Sequence, residues 1–413
     1  MLALSDCGEV TITATDQANA STEPQPDAAG KASLTDVLTI TLGHATNDLY
    51  QSFLAPLLPV FIATMGLSKT QAGLLSLIRQ LPSLLQPAMG HLADRLGLRG
   101  VLIVAPALTG AMVSLAAFAP NYRLLALLLF AGGVSSVAFH SVAPATAGEL
   151  AESGSMGRAM GLWILGGELG FTVGPLLIAG VVDRFGLRAT PWLMVLGILA
   201  SALLYSRVKK LPHRSSSQAH SLPWRDALGQ LRPAMVPLIG LAVTRAFALS
   251  GIASYLPTYL SESGASLLVS GASLTLYQSA ASVGVVAGGW VSDRLDRRLV
   301  MLASSLGMPL LLTAFLLLKG AGQVLALVLM GLVAVAYDPV ALAVVQETAT
   351  QNRALATSLY LALTFLIRSI ATVAVGAIAD QIGLRGAYVI SAVILLFGTP
   401  FLFLLPLGRH PPT

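Results

Sequence analysis

The chain has 413 residues, of which 55% are hydrophobic and only 10% are charged, and this composition excludes a soluble fold, in which roughly a quarter of the residues carry charge. Its net charge of +5 does not indicate nucleic-acid binding, because most Lys and Arg residues lie in short loops between long apolar runs. The single cysteine, Cys7, excludes a disulfide framework within the chain and a cysteine-based metal cluster.

Residues 1–33 are polar, small and acidic, and they include Pro24 and Pro26. This composition predicts a disordered N-terminal tail. The tail is not a signal peptide, because it lacks a basic start and an apolar core segment.

From Leu34 onward the sequence predicts an all-α integral membrane protein with twelve transmembrane helices. Each apolar run is near the ~20 residues that a helix needs to cross a bilayer, and none alternates as a barrel strand does. The predicted spans, numbered one to twelve, cover about residues 35–64, 70–92, 99–119, 122–147, 159–182, 188–208, 233–260, 267–292, 298–318, 322–346, 355–379 and 386–406. A hydrophilic linker, 209–232, separates the six-helix bundle 34–208 from the six-helix bundle 233–406, and 407–413 form a C-terminal tail.

The loop charges predict a multi-pass protein of the inner, cytoplasmic membrane with both termini in the cytoplasm. An even number of spans places the termini on one side, and the excess of arginine identifies that side as cytoplasmic. The basic residues on that side, besides those of the linker, are Arg95, Arg99, Arg158, Arg294, Arg297, Arg298, Arg353 and Arg409, against Lys69, Arg123, Arg184, Arg188, Lys319 and Arg385 on the other.

Repeats about two hundred residues apart indicate a duplicated unit. The segment Gly90–Arg99 (GHLADRLGLR) resembles Gly289–Arg298 (GWVSDRLDRR), and residues 182–188 resemble 379–385. Two parallel six-helix repeats related by a pseudo-twofold axis are the plan of a transporter that rocks two bundles about a central site.

The repeated loop motif also predicts a cytoplasmic latch. The Asp94 carboxylate can accept from free amides at a helix N-terminus, and Arg95 and Arg99 can pair with Glu149 or Glu152. Such a latch would stabilise one conformation and break in another. The latch residues are Gly90, Asp94, Arg95, Arg99, Glu149, Asp293 and Arg294. The alternative is that these charges only set the topology.

Span one carries the first candidate site. His44 and Asp48 fall on one stripe of the helix with Thr41 and Ser52. Ionisable side chains are costly in lipid, so the stripe should face protein or water. A carboxylate in a low-dielectric site can take up a proton near neutral pH, which makes Asp48 a candidate proton carrier and His44 its partner. The alternative is a structural pair that only orders the helices.

Arg79 lies near the middle of span two, on the same face as Ser83 and Gln86. Because a guanidinium stays charged, Arg79 is either a counter-ion, first of all to Asp48, or an anion-binding group. Its counterpart in the second half is Gln278, so the repeat itself requires no charge there.

Spans four and five add His140 and Glu168 as candidates for proton coupling. The alternative for His140 is a buried histidine that bonds to a backbone carbonyl. The alternative for Glu168 is a buried acid that is hydrogen-bonded to a partner such as His140. Small residues at every fourth position of span five, together with a proline, predict a face for close helix packing between the bundles. They are Gly166, Gly170, Gly174 and Pro175.

In the second half the candidates are Arg245 in span seven, Asp338 in span ten and Arg368 in span eleven. Together with Arg79 and the acids of the first half, they allow either internal salt bridges or an anionic substrate held by arginines. The predicted substrate-binding residues are Arg79, Asn47, Gln86, Arg245, Gln278, Asp338 and Arg368.

The motifs resemble the Major Facilitator Superfamily over about residues 35–406. The segment from Gly90 to Arg99 is similar to its loop signature between spans two and three, and Gly166 to Gly180 resembles its span-five antiporter motif. Four stretches resemble the fosmidomycin-resistance branch of drug:proton antiporters, namely Gly43 to Tyr50, Ser83 to Pro87, Phe139-His140 and Gly166 to Gly170.

The chain also departs from that branch. Ser141-Val142 follows Phe139-His140 where the branch commonly has Pro-Glu, and the stretch from Leu124 to Phe130 lacks the arginine that many antiporters carry in span four. Coupling through that arginine therefore does not transfer to this chain.

The resemblance implies an exporter of small molecules that uses the proton gradient and no cofactor, with lipid, protons and substrate as its partners, and superfamily analogy implies a monomer. One alternative is a proton- or ion-coupled symporter that imports an organic anion, and a non-transporting membrane sensor is another. An enzyme is not expected, because the sequence contains no His-Glu-x-x-His and no Gly-x-Ser-x-Gly motif.

Overall fold

The computed structural model describes residues 34–86, 88–89, 99–149, 156–208, 224–292, 294–348 and 353–405. The N-terminal tail, the linker at 209–223, the C-terminal tail and four predicted latch residues lie outside this part of the chain. Those four are Gly90, Asp94, Arg95 and Asp293. Arg99 and Glu149 are described as helical, but the placement of their side chains is not, so the latch stays a prediction.

The described chain is helical throughout and contains no strand, as the sequence predicts. The α-helices are Leu34–Gln51, Leu54–Met65, Lys69–Gln80, Arg99–Ala116, Tyr122–Glu149, Met156–Phe185, Met194–Val208, Trp224–Glu262, Leu267–Ser292, Arg297–Leu317, Ala321–Ala334, Tyr337–Thr348 and Arg353–Leu396. Short 3₁₀ segments cover Leu81–Leu85, Leu187–Leu193 and Thr399–Leu404. By length and composition, 8 segments of the described chain could cross a membrane, and the last of them, Leu359–Leu404, contains two predicted spans.

Two predicted spans are broken near their middle, and a proline explains each break. Pro56 clashes with the carbonyl of Ser52 four residues earlier, and the helix of span one is interrupted between Gln51 and Leu54. Pro339 has the same effect on Val335, and span ten is interrupted between Ala334 and Tyr337. Both breaks lie within a turn or so of a predicted functional acid, Asp48 or Asp338.

Spans eleven and twelve form one continuous helical segment that turns at Gly383. The backbone of Gly383 has φ 77° and ψ 164°, which only glycine adopts readily. The corresponding turn of the first half lies at Gly186, which has φ 73°. The repeat that the sequence predicts is therefore present in the backbone at the C-terminal ends of spans five and eleven.

Each half packs on itself, and selected helices join the halves. In the first half span one lies against span five, and span three lies against spans four and six. In the second half span ten packs on spans eight and nine. Between the halves, span five contacts span eight, span two contacts the helix Arg353–Leu396, and Leu54–Met65 contacts span seven.

The buried apolar side chains differ between the two ends of the bundle. At the end where span two begins, called here the Lys69 end, one core joins both halves and includes Phe53 and Leu57 with Ile252 and Tyr255. Toward the other end the described core residues form two separate clusters. One belongs to the first half and contains Ile40 and Phe139. The second belongs to the other half and contains Met301 and Leu402.

Candidate functional site

The candidate site of the first half is a buried cluster of two histidines and one aspartate. His44 and Asp48 lie one turn apart on span one, and each is only 4% exposed. His44 Nε2 is 3.0 Å from Asp48 Oδ2, and His140 Nε2 from span four is 3.3 Å from Asp48 Oδ1. The two imidazole Nε2 atoms are 3.2 Å apart. The structure thus brings together three of the four residues predicted to couple protons.

The partners of the other ring nitrogens determine where the hydrogens lie. Nδ1 of His44 is 2.7 Å from the backbone carbonyl of Trp163, and Nδ1 of His140 is 2.8 Å from the carbonyl of Ser136. A carbonyl can only accept, so both Nδ1 atoms carry hydrogen and both neutral rings present a bare Nε2. Two lone pairs and a carboxylate then face one another without a donor.

A cation between the three groups would stabilise this arrangement, because uncompensated acceptors in a buried site repel one another. A single proton on either Nε2 supplies that charge and gives an imidazolium beside Asp48. Among the described residues these three also form a grouping that could hold a metal ion, since their ligand atoms lie within 4.8 Å of one another. All three contacts are also within hydrogen-bond range, and a proton on His44 Nε2 can be donated to both Asp48 Oδ2 and His140 Nε2.

Asn47 orders the carboxylate from the other side. Its Nδ2 donates to Asp48 Oδ1 at 3.1 Å and to Ser136 Oγ at 2.9 Å. Its Oδ1 accepts from Thr109 Oγ1 at 3.1 Å. The fully buried amide thus helps to position the carboxylate, and the predicted substrate contact of Asn47 stays a prediction.

Span five covers the cluster with glycine and an aromatic ring. A Cβ at Gly167 would lie 2.6 Å from His44 Cε1 and 2.9 Å from Asp48 Oδ2. One turn earlier, the Trp163 ring stacks on the His44 imidazole, with centroids 4.0 Å apart and planes at 11°. Trp163 was not among the residues predicted from the sequence, although its position one turn before Gly167 in span five was an available signal.

Arg79 contacts the neighbourhood of Asp48 indirectly. Its Nη1 donates to Gln51 Oε1 at 2.5 Å, and Gln51 lies one turn beyond Asp48 on span one. In the described structure Arg79 and Asp48 form no ion pair, although Arg79 remains within electrostatic range of the carboxylate. The Nε of Arg79 is buried without a hydrogen-bond partner.

Glu168 joins the two halves, and in the described part of the chain it forms no hydrogen bond or ion pair with His140. Its Oε2 accepts from Ser282 Oγ of span eight at 2.6 Å. The interpretation of Glu168 as a partner of His140 is therefore replaced by a contact between the bundles, at a position one residue beyond Gly167.

The glycine face of span five packs on span one of the same half, not on the other bundle as the sequence suggested. Added Cβ atoms at Gly166 and Gly170 would lie 2.5 Å from the Thr41 carbonyl and 2.3 Å from the Ala45 carbonyl. The contact with the other bundle lies around Pro175, whose carbonyl would be 2.7 Å from a Cβ at Gly271 of span eight. Thr275 of span eight also donates to the Thr172 carbonyl at 2.8 Å.

The second half contains its own charged cluster. Arg368 Nη2 donates to Asp338 Oδ2 at 2.9 Å, and both side chains are more than one-third exposed. Arg245 is 2% exposed and stands over the Tyr337 ring at 4.2 Å. The structure groups these three predicted residues as an ion pair beside a buried cation.

The broken helix of span ten explains how Arg245 is held. At the break, the amide of Asp338 donates to the Val335 carbonyl, so the Ala334 carbonyl loses its helical donor. Arg245 Nη2 donates to that carbonyl at 2.5 Å. Its Nε and Nη1, and the Tyr337 hydroxyl, are buried without a hydrogen-bond partner in the described structure.

Replacing Arg245 with Met should destabilise the protein by about 1–3 kcal/mol, because the Ala334 carbonyl loses its donor in a buried site. Arg368→Met is the matched control, and it should cost less, since its ion pair is partly exposed. Thermal unfolding of the purified variants measures both. Equal losses would contradict a structural role that is specific to Arg245.

The sequence predicts that Gln86 and Gln278 contact substrate. In the described structure their backbone carbonyls accept hydrogen bonds. The Gln86 carbonyl accepts from Ser141 Oγ at 3.3 Å, and the Gln278 carbonyl accepts from Ser282 Oγ at 3.1 Å. Arg294, predicted to belong to the latch, lies over the Trp290 ring at 3.6 Å.

The chain is similar to known proteins along nearly its whole length. A family model for the Major Facilitator Superfamily matches residues 40–321 and 261–413. The fosmidomycin resistance protein of Escherichia coli (strain K12) is 28% identical over 94% of this chain and 99% of its own length. An uncharacterised MFS-type transporter of Bacillus subtilis (strain 168) is 26% identical over 90% and 92%.

Solved structures show the same fold. A bacterial homolog of the human lysosomal transporter Spinster, in an inward-facing and occupied conformation, superposes with a TM-score of 0.75 at 18% identity. The superposition covers 89% of this chain and 95% of that chain.

Proposed function

Because the chain belongs to the Major Facilitator Superfamily, and is therefore a membrane-embedded secondary transporter of small molecules and not an enzyme, we propose that it exports its substrate in exchange for protons. The fosmidomycin resistance protein aligns with nearly the whole chain, which supports drug efflux as the direction and purpose of transport. The orientation follows from the arginine-rich loops, with both termini in the cytoplasm and the Lys69 end facing outward in the inner membrane.

One observation carries the proposal, namely the buried group of three acceptors formed by His44, Asp48 and His140. The Nε2 atoms and the carboxylate lie 3.0 to 3.3 Å apart. Because both Nδ1 hydrogens are already donated to carbonyls, a proton in the centre of the group relieves the repulsion between its acceptors. A buried site that can bind and release a proton is what coupling to a proton gradient requires.

The proposed cycle uses this site as the proton carrier. A proton from outside enters the cluster while the bundles are open outward, and substrate leaves. The bundles then rock, the proton is released inward and a new substrate binds. Gln51 and Arg79 lie next to the cluster and can transmit its charge state to span two, and Glu168 with Ser282 can transmit it to the second bundle.

A second candidate function is import of an organic anion by symport. The observation that favours it is the second-half cluster, in which Arg245 and Arg368 share one described acid, Asp338, and leave a net positive charge. Arginine is suited to bidentate recognition of carboxylate and phosphate groups. The two functions differ in the direction of substrate movement relative to the proton.

Inverted membrane vesicles separate these functions. With an interior made acidic, an exporter should accumulate its substrate, and collapsing the pH gradient should abolish accumulation. Fosmidomycin is the first compound to test, followed by a panel of other drugs and organic anions. Accumulation that needs an alkaline interior, or uptake only into right-side-out vesicles, would contradict export and favour the symporter.

A further inference from the structure

The start of span two is bound by an aspartate from the opposite half. Asp380 lies at the end of span eleven, where its Oδ1 accepts from the amide of Lys69 at 2.7 Å. Its Oδ2 accepts from the amide of Thr70 at 2.9 Å and from Thr70 Oγ1 at 2.5 Å. One carboxylate therefore makes three hydrogen bonds across the boundary between the bundles.

These bonds complete the helix terminus. The first amides of a helix have no partner within the helix. A capping box already satisfies two amides here, since Gln71 N donates to Ser68 Oγ and Ser68 N donates to Gln71 Oε1. The amides of Lys69 and Thr70 are left free, and they are the two that Asp380 accepts from. The positive end of the helix dipole adds to the attraction for the carboxylate.

Further contacts close the same end of the molecule. Lys69 Nζ is 2.9 Å from Glu262 Oε1 of span seven, and the Tyr255 hydroxyl donates to the Lys69 carbonyl at 2.7 Å. A Cβ at Gly376 would lie 2.4 Å from that carbonyl, so spans two and eleven touch through their backbones. The shared core at this end, which contains Phe53 and Ile252, shows that the halves are packed together here.

The repeat supplies a comparison within the same chain. Residue Asp183 occupies the position in the first half that corresponds to Asp380. Asp183 is exposed, and among the described residues it has no hydrogen bond to the start of span eight. Of these two aspartates, Asp380 thus caps a helix of the opposite half, and Asp183 makes no such contact in the described structure.

We propose that Asp380 gates the Lys69 end of the molecule. Its carboxylate binds the free N-terminal amides of span two and keeps this end closed until the bundles rock. The free energy of these bonds stabilises the conformation described here relative to the one open at this end. Transport by alternating access requires both conformations. Because the bonds of Asp380 stabilise one of them, they shift the ratio between the two. The inference rests on the contacts between the halves and not on proton coupling.

Spin labels at the Lys69 end test the gate in the purified, full-length chain. The labels go on Trp192→Cys and Leu317→Cys, which are exposed positions in the two halves, with Cys7→Ser to remove the native thiol. Double electron–electron resonance should give a single distance for the parent protein. With Asp380→Asn, a longer distance should appear and the ratio of open to closed molecules should rise roughly tenfold, since hydrogen bonds to a charged group are lost.

Lys69→Pro provides an independent variant. Proline fits the first position of a helix, and the residue before it, Ser68, already has the extended ψ of 160° that a following proline requires. The change removes the Lys69 amide and the ion pair with Glu262 while Asp380 stays intact, and it should shift the distances in the same direction. Asp183→Asn is the matched control and should leave them unchanged.

Unchanged distances in Asp380→Asn or in Lys69→Pro would overturn the proposal, provided that the variant is folded as judged by a single symmetric gel-filtration peak. An equal shift in Asp183→Asn would overturn it as well. The measurement uses no proton gradient and no substrate, so its result is independent of whether the transporter is an antiporter.

Discussion

Asp48→Asn is expected to abolish transport driven by a pH gradient while the protein still folds and reaches the membrane. Asparagine has nearly the same shape as aspartate, so the contacts of Asn47 and the packing against Gly167 should survive. The negative charge that holds a proton between His44 and His140 is lost, however. Without the carboxylate the cluster no longer holds the transported proton, so we expect gradient-driven accumulation in inverted vesicles to fall to the level of vesicles that lack the transporter.

The control for this experiment is Asp183→Asn, an exposed aspartate far from the cluster, which should transport like the parent protein. Expression is compared by the amount of protein in the vesicle membrane. If Asp48→Asn kept gradient-driven accumulation with an unchanged pH profile, the buried cluster would not be the proton carrier.

Gly170→Ala is expected to have the largest effect on stability. The added Cβ would lie 2.3 Å from the Ala45 carbonyl and 2.8 Å from the Leu49 amide, both backbone atoms of span one that cannot move without moving the helix. Overpacking of this kind costs about 1–3 kcal/mol. It should also displace span one relative to span five and so disturb the cluster around Asp48. The thermal unfolding midpoint of the purified protein should fall clearly.

Gly161→Ala is the matched control on the same helix. A Cβ at Gly161 has nothing within 4 Å, and alanine is the better helix former by roughly 0.5–1 kcal/mol. The control should therefore be as stable as the parent or slightly more stable. Equal destabilisation by the two substitutions would show that the loss at position 170 does not come from contact with span one.

Hydrophobicity predicted the helical class and the twelve-span plan, because long apolar runs in a chain with little charge leave few other structures. The repeated motifs, such as the one at Gly90–Arg99 and Gly289–Arg298, predicted the duplication. The breaks in spans one and ten could also have been predicted, since Pro56 and Pro339 are visible in the sequence. The contact that results from the second break could not be predicted. Arg245 donates to the freed Ala334 carbonyl because of how span seven lies against span ten, and no single helix shows that.

The cluster was predictable in part for a similar reason. His44 and Asp48 share a helix face at a spacing of four, so their contact follows from the periodicity alone. His140 comes from span four, and Gln51 lies between Arg79 and the aspartate, so neither arrangement follows from any single helix. Asp380 resembled an ordinary loop charge, because its three donors lie about three hundred residues away at the start of span two.

Proteoliposomes that contain a pH-sensitive dye test the central claim most directly. They are loaded with fosmidomycin, or with any compound that the vesicle panel shows to be transported, and diluted into substrate-free buffer of the same pH. Antiport predicts that substrate leaving the liposome draws protons in, so the interior becomes acidic, and that Asp48→Asn removes this change. An interior that becomes alkaline as substrate leaves, or that keeps its pH during substrate efflux, would contradict proton-coupled export.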